Sequence, residues 1–212
     1  MNRISESQLM TDKNQCEIFS KSERGYIRDL FIESLSNRIA LTGTVLDLGS
    51  GPCDYNIALC QQYPNIDIIA VDASLPMCNI AKDNIKDYPI TVVCDYFDNI
   101  NYKADTIISS LTLHHQIDPL EFWKVVKRNT KQEGNIFIMD LIRPNSLEDI
   151  NIIVNQLARE EDISFINDFK NSLAAAFTLE EIQDQLKDSN LNLITEVVGK
   201  LGVIALIYGE NT

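Results

Sequence analysis

Five short runs rich in Val and Ile most constrain how this chain can fold: Thr44–Leu48, Ile66–Val71, Ile90–Val93, Thr106–Ser109 and Asn135–Met139. None shows sustained apolar/polar alternation. A strand with one wet face alternates; runs of this kind belong to parallel strands covered on both faces. The segments between them read as helices. Ser74 caps, and Pro76 sits in the first turn of, "PMCNIAKDNIKD". Asp118-Pro119-Leu120-Glu121 supplies an N-cap, a proline at N1 and a capping-box acid for "LEFWKVVKRNTKQ". Its basic residues gather toward the C-terminal end, and Gly134 is expected to stop it. Trp123 is expected in the core of that helix, against the sheet. Strand and helix alternate, which specifies a doubly wound α/β sheet.

The pattern changes after Asp140. Residues 145–176 hold two helices with no strand between them. Ser146 to Asp149 starts the first, with Ile150, Ile153, Val154 and Leu157 at helical spacing. The second carries Phe165, Phe169, Leu173 and Ala176. Thr178-x-x-Glu181 opens a further helix, Leu179–Asp188. "LNLITEVV" and "VIALIYG" follow, separated by "GKLG", a connection too short for parallel neighbours, so they form a hairpin. Upstream, about 12–41 is helical, with apolar Ile27, Leu30, Phe31, Leu35 and Ile39. The expected organisation is one domain over 1–212: an N-terminal helical segment (12–41), a sheet core (44–140), a helical insertion (143–177), and a last helix with the hairpin (178–212).

The chain's 212 residues are enough for one sizeable core, and 45% are apolar. A formal charge of −13 with no basic run argues against tracking a phosphate backbone, so no nucleic-acid partner is expected. Glu160-Glu161-Asp162, the longest acidic cluster, reads as solvated surface. No segment has the length of a membrane span, and "MNRISESQLMTDKNQ" lacks a signal peptide's apolar run. The five cysteines show no C-x-x-C pairing and read as reduced thiols, which points to the cytoplasm. His114 and His115 are the only histidines, and no metal-ligand spacing surrounds them, so no metal site is expected.

Ligands in such sheets sit beyond the carboxyl ends of the strands, so the loops there carry the function. The first is Gly49-Ser50-Gly51-Pro52-Cys53. Its glycines permit a tight turn and a close backbone approach, and amides opening the next helix favour an anionic group. Asp47, just before the first glycine, would repel a pyrophosphate and welcome an ammonium or sulfonium group. Asp72 ends the second strand about twenty residues beyond Gly51, where an acid accepts from both hydroxyls of a ribose. Asp95 ends the third, where it can meet an adenine amino group.

This order, acid-x-Gly-x-Gly, then Asp72, Asp95 and a terminal hairpin, resembles the class I S-adenosylmethionine-dependent methyltransferases. The likeness covers Thr44–Asp140 and the hairpin in outline. It implies a three-layer Rossmann-like sheet of seven strands, mostly parallel with an antiparallel C-terminal strand. It further implies S-adenosylmethionine as cofactor and S-adenosylhomocysteine as product. Carried over by motif, Asp47 lies near the methionine ammonium, and Gly49, Ser50, Gly51 and Cys53 form the cofactor loop. Asp72 takes the ribose; Asp95 with Tyr96 frames the adenine; Ala73 and Met77 flank the purine; Ser110 lies close to the methionine part. Cys53 departs from the glycine usual there, and its backbone amide is expected to serve in its place.

"SSLTLHHQIDP" resembles the "LHH" segment of small-molecule methyltransferases. His114 and His115 are the candidate catalytic residues, one of them as general base, weighed against a bracing role in the loop. Tyr26, Arg143, Phe165 and Phe169 are candidate substrate contacts, with Phe177 beside them and Arg143 as partner for a carboxylate. The expected reaction is methyl transfer to N, O or S of a small molecule by a monomer or homodimer. Intramolecular cyclisation or other cleavage of S-adenosylmethionine, a non-catalytic adenosyl-binding module and a nicotinamide oxidoreductase are the competing readings. Asp47 and the hairpin count against the last.

Overall fold

The computed structural model describes residues 1–6, 9–22 and 25–212. Among these, helices α1 (Lys13–Lys21) and α2 (Gly25–Ser36) precede the sheet. Then β1 (Gly43–Leu48), α3 (Asp54–Gln62), β2 (Ile66–Asp72), α4 (Leu75–Asn84), β3 (Ile90–Cys94), β4 (Ala104–Ser110), α5 (Pro119–Asn129) and β5 (Thr130–Leu141) alternate. Helices α6 (Leu147–Leu157), α7 (Ile163–Ala175) and α8 (Leu179–Asp188) follow, before β6 (Ile194–Val198) and β7 (Ile204–Glu210).

The strands form one seven-stranded sheet, in the order β3-β2-β1-β4-β5-β7-β6. The pairs from β3 to β5 are parallel, and β7 runs antiparallel to both neighbours, β5 and β6. The hairpin read from "GKLG" therefore inserts its second strand beside β5. Both faces of the sheet are dry. Within β5, Phe137 and Met139 join Phe31, Val45, Leu59 and Ile108 in one core. Ile136 and Ile138 turn the other way to meet Leu46, Phe122, Trp123, Ile182 and Ile207. Side chains alternate across a strand, so apolar residues at successive positions mean two covered faces.

Helix starts follow their local chemistry. Ser74, Ser146 and Thr178 accept from the amides of Met77, Asp149 and Glu181, and Thr178 with Glu181 completes a capping box. Asp118 accepts from the Leu120 amide ahead of Pro119. Two expectations need correction. Helix α5 stops at Asn129, before Gly134, and residues from Thr130 belong to β5. There Asn211 captures the backbone: its carbonyl accepts from Glu133, and its amide donates to Gly134. The N-terminal helical stretch is also two helices, with Lys21 ending the first and Gly25 beginning the second.

Trp123 is fully buried, and its indole N–H donates to the Gln185 side-chain oxygen on α8 at 3.0 Å. This bond ties α5 to α8 on one face of the sheet. Trp123→Phe leaves that buried oxygen without its donor and should cost about 1–3 kcal/mol in thermal unfolding. Adding Gln185→Leu should recover part of the loss.

Candidate functional site

Strand β1 lies between β2 and β4, whose connections leave in opposite directions, and this is the topological switch point of the sheet. A cavity of about 1340 Å³ opens at its carboxyl end. The loops after β1, β2 and β4 form its floor; the N-terminal segment, α6 and α7 cover it. Ligand pockets usually measure about 300–1,000 Å³, so the space suits two reactants side by side.

The glycine loop turns back onto β2: the amides of Gly49 and Ser50 both donate to the Val71 carbonyl, at 2.8 and 3.0 Å. Gly49 has φ 78°, and a Cβ there would collide with the Thr112 side chain. Gly51 has φ 53°, and its Cβ position meets nothing within 4 Å among the described residues, so a ligand can approach the bare backbone. Cys53 differs from expectation. Its side chain is fully buried and does not line the cavity, and its amide donates to Ser50 within the turn. Its backbone is left-handed, φ 64°, at the N-cap of α3. A glycine usual at this point avoids a backbone cost of roughly 1–2 kcal/mol that Cys53 bears.

Asp47 lines the cavity floor and is only 5% exposed. Burial raises its carboxyl to about 7, against a hydrogen bond from Asn56 that lowers it; Asp72 and Asp54 push it further up. Asp72 also lines the cavity. One of its oxygens accepts from the Gly51 amide at 2.9 Å, the other from Ser74 at 2.8 Å. Burial raises its carboxyl, and those two amides oppose the rise. Each oxygen retains a further lone pair for a ligand hydroxyl. Ala73, Met77, Tyr96 and Ser110 lie on the cavity wall as well. Asp95 does not: it accepts from its neighbour Tyr96 and from Asn99, bracing the turn Phe97–Asn99. The acid that faces the cavity there is Asp98.

His114 and His115 form a short turn on the cavity rim, their rings 4.0 Å apart. His114 is buried, and its Nδ1 lies 2.6 Å from Asp140, whose carboxylate also accepts from the amides of Leu113, His114 and Leu141. Burial alone would raise the Asp140 carboxyl; His114 and the Leu141 amide outweigh it and hold the group below its ordinary value. Asp140 is thus held as a carboxylate against His114 Nδ1, while Nε2 is buried with no hydrogen-bond partner among the described residues. Burial, and then the charge of His114, lower the pKa of His115. Glu6, from the N-terminal segment, reaches within 3.9 Å of His115 Nδ1.

Phe165 and Phe169 line the cavity from α7, and Tyr26 lines it from α2, its hydroxyl accepting from the Lys200 amide. Arg143 is a correction. It lies off the cavity, buried, with two nitrogens on the Glu181 carboxylate and one of them also on the Ala176 carbonyl. Phe177 is off the cavity too, its ring under the Arg3 guanidinium. Arg3 donates to the carbonyls of Ala175, His114 and Gln116, stitching α7 to the histidine turn. Asp140, Glu6, Thr112 and Asp98 belong to the site and went unread in the sequence. Only Asp140, at the end of a strand, carried a sequence signal.

Residues 46–138 match the family model described as a methyltransferase domain. A 103-residue stretch, 47% of this chain, is 31% identical to the ribosomal RNA small subunit methyltransferase C of Haemophilus ducreyi and spans 31% of its length. A 117-residue stretch, 52% of the chain, is 28% identical to the carboxy-S-adenosyl-L-methionine synthase of Nautilia profundicola and spans 49% of it. The chain thus spans half or less of the length of these curated relatives. Among the solved structures that share the fold are two methyltransferases. The plantazolicin methyltransferase BpumL in complex with SAH has a TM-score of 0.73 at 15% identity, covering 94% of this chain and 90% of that one. A SAM-dependent methyltransferase from Aquifex aeolicus has a TM-score of 0.69 at 17% identity, covering 95% and 99%.

The buried acid makes an experiment on Asp47→Asn informative. A carboxyl raised from 3.8 to about 7 on folding removes stability as pH rises through that window. At pH 8, Asp47→Asn should therefore stabilise the ligand-free protein, by at most about 4 kcal/mol, with the gain vanishing toward pH 4. Thermal unfolding across that range checks it. Gly49→Ala should act oppositely, costing about 2 kcal/mol or more, through its positive φ and the Thr112 clash.

Proposed function

From a core, residues 46–138, that belongs to the class I S-adenosylmethionine-dependent methyltransferases, we propose that this protein moves the methyl group of S-adenosylmethionine onto an N, O or S atom of a small molecule. The observation that carries the proposal is the buried, cavity-facing Asp47 carboxylate beneath a glycine loop that presents bare backbone at Gly51. An acid lifted by burial is stabilised by a cation, and the methionine ammonium and the sulfonium are cations. The lone pairs left on Asp72 suit the ribose hydroxyls, and Ala73 with Met77 offers an apolar wall for adenine. When bound, S-adenosylmethionine supplies a methyl already activated by positive sulfur.

The chain's own contribution is orientation and shelter. Asp47 and the loop hold the donor end, while α6 and α7 exclude water above it. In-line approach of two held reactants, about 3 Å apart, accounts for much of such a rate. On the acceptor side, Asp140 holds the His114 ring by Nδ1 and so aims its other nitrogen, Nε2, away from the carboxylate. Phe165, Phe169, Ile150 and Leu157 make that side apolar, with Glu6 and Asp168 adding negative charge. These features, with the net charge of −13, favour a neutral or amine-bearing metabolite over a polynucleotide.

A second reading keeps the cofactor and changes the product. The identity with the Nautilia carboxy-S-adenosyl-L-methionine synthase favours non-methylating use of S-adenosylmethionine.

S-adenosylhomocysteine at a hundredfold excess over its Kd should raise thermal stability by about 2.7 kcal/mol, while NAD should leave it unchanged. No shift with either adenosyl ligand would sink the proposal. Asp72→Ala should weaken the adenosyl ligands at least tenfold by calorimetry, and an unchanged affinity would overturn the ribose assignment. Mass spectrometry after incubation with S-adenosylmethionine alone separates methyl transfer from cleavage: methylthioadenosine, formed with no acceptor present, favours the second.

A further inference from the structure

We infer that Glu6, His114 and His115 form a site for one divalent transition-metal ion at the acceptor end of the cavity. Each of the three residues offers a ligand atom, and these atoms all lie within 4.8 Å of one another. Two nitrogens, His114 Nε2 and His115 Nδ1, are buried and have no hydrogen-bond partner among the described residues. Buried polar atoms are normally satisfied, so two on adjacent rings, converging with a carboxylate, point to a shared ligand. His114 itself is 2% exposed.

The surroundings suit a metal. Asp140 holds His114 Nδ1 at 2.6 Å, the carboxylate–histidine support that fixes a ligating imidazole and raises its basicity. Ser172 donates to Glu6 Oε2 at 3.1 Å, orienting that carboxylate from α7. The Glu6 oxygen and His115 Nδ1 are 3.9 Å apart, so a modest inward movement brings both to about 2.1 Å from a common ion. Two imidazoles and one carboxylate match zinc, cobalt or iron(II) better than calcium or magnesium, which prefer all-oxygen sets. Three protein ligands leave a coordination position open, and all three residues line the cavity.

The ion would meet an acceptor hydroxyl or thiol there and lower its pKa. That role rests on the methyl-transfer reading; the binding itself does not. It also assigns a ligand to the otherwise unpartnered His114 Nε2. The third ligand comes from a segment more than a hundred residues away in sequence, and Arg3, three residues before it, anchors that segment to the histidine turn.

The test uses the full-length chain without a histidine tag, cleared of metal and titrated with cobalt(II) under visible absorption. One equivalent should produce d–d bands that zinc abolishes. Glu6→Gln and His115→Ala should each weaken cobalt binding at least tenfold, while both variants keep the thermal shift given by S-adenosylhomocysteine. Absence of d–d bands in the parent protein, or unchanged cobalt affinity in either variant, would overturn the site. If cobalt binds as described but S-adenosylhomocysteine causes no shift, the metal site stands and the methyl-transfer reading falls.

Discussion

The connections that leave β1 in opposite directions open a crevice at its carboxyl end that the sheet cannot fill from its own side chains. What closes the crevice is a carboxylate. Asp72, at the end of β2, accepts one amide from the glycine loop after β1 and one from the start of α4. These two bonds fix the loop against the neighbouring strand, and so fix where Asp47, Gly51 and Met77 meet the cavity. Asp140 repeats the arrangement at the end of β5, gathering three amides and an imidazole around a buried carboxylate. One acid thus organises the glycine-loop side of the cavity and another the histidine side.

Such sites sit at odds with the stability of the chain that carries them. Asp47 is desolvated with little compensation, and Cys53 holds a left-handed backbone without the freedom of glycine. The dry two-faced sheet can carry these costs. Its strands bury large apolar residues on both sides, and the capped helices need little from the site to stay in place.

The fold was legible because both of its signals are local. Unbroken Val/Ile runs give strands, and cap residues with apolar spacing give helices, so β1, β2 and β3 fall within a residue or so of expectation. The lapse at Thr130 has a non-local cause, since Asn211 draws those residues into β5 from the far end of the chain. Much of the cavity's floor was legible in the same way. Asp47, Gly49, Gly51 and Asp72 lie in motifs a few residues long. Glu6 lies more than a hundred residues from the histidines it faces, and nothing near it in sequence marks it. Arg143 misled because an arginine beside a cavity can pair with any carboxylate, and Glu181, opening α8, reaches it first. Asp95 misled more subtly. It stands at the strand end the motif requires, but its side chain serves the turn that carries Asp98 to the wall.

Arg3 fastens the cover over the site through main-chain carbonyls, those of Ala175, His114 and Gln116, and through the face of Phe177. A latch that reads backbone is indifferent to most side chains on the element it holds. Substitution of the cavity-lining Phe165 or Phe169 therefore leaves these main-chain contacts of Arg3 in place. The cavity wall that α7 provides can thus be reshaped while this attachment persists, which makes α7 the natural place to alter what the cavity accommodates.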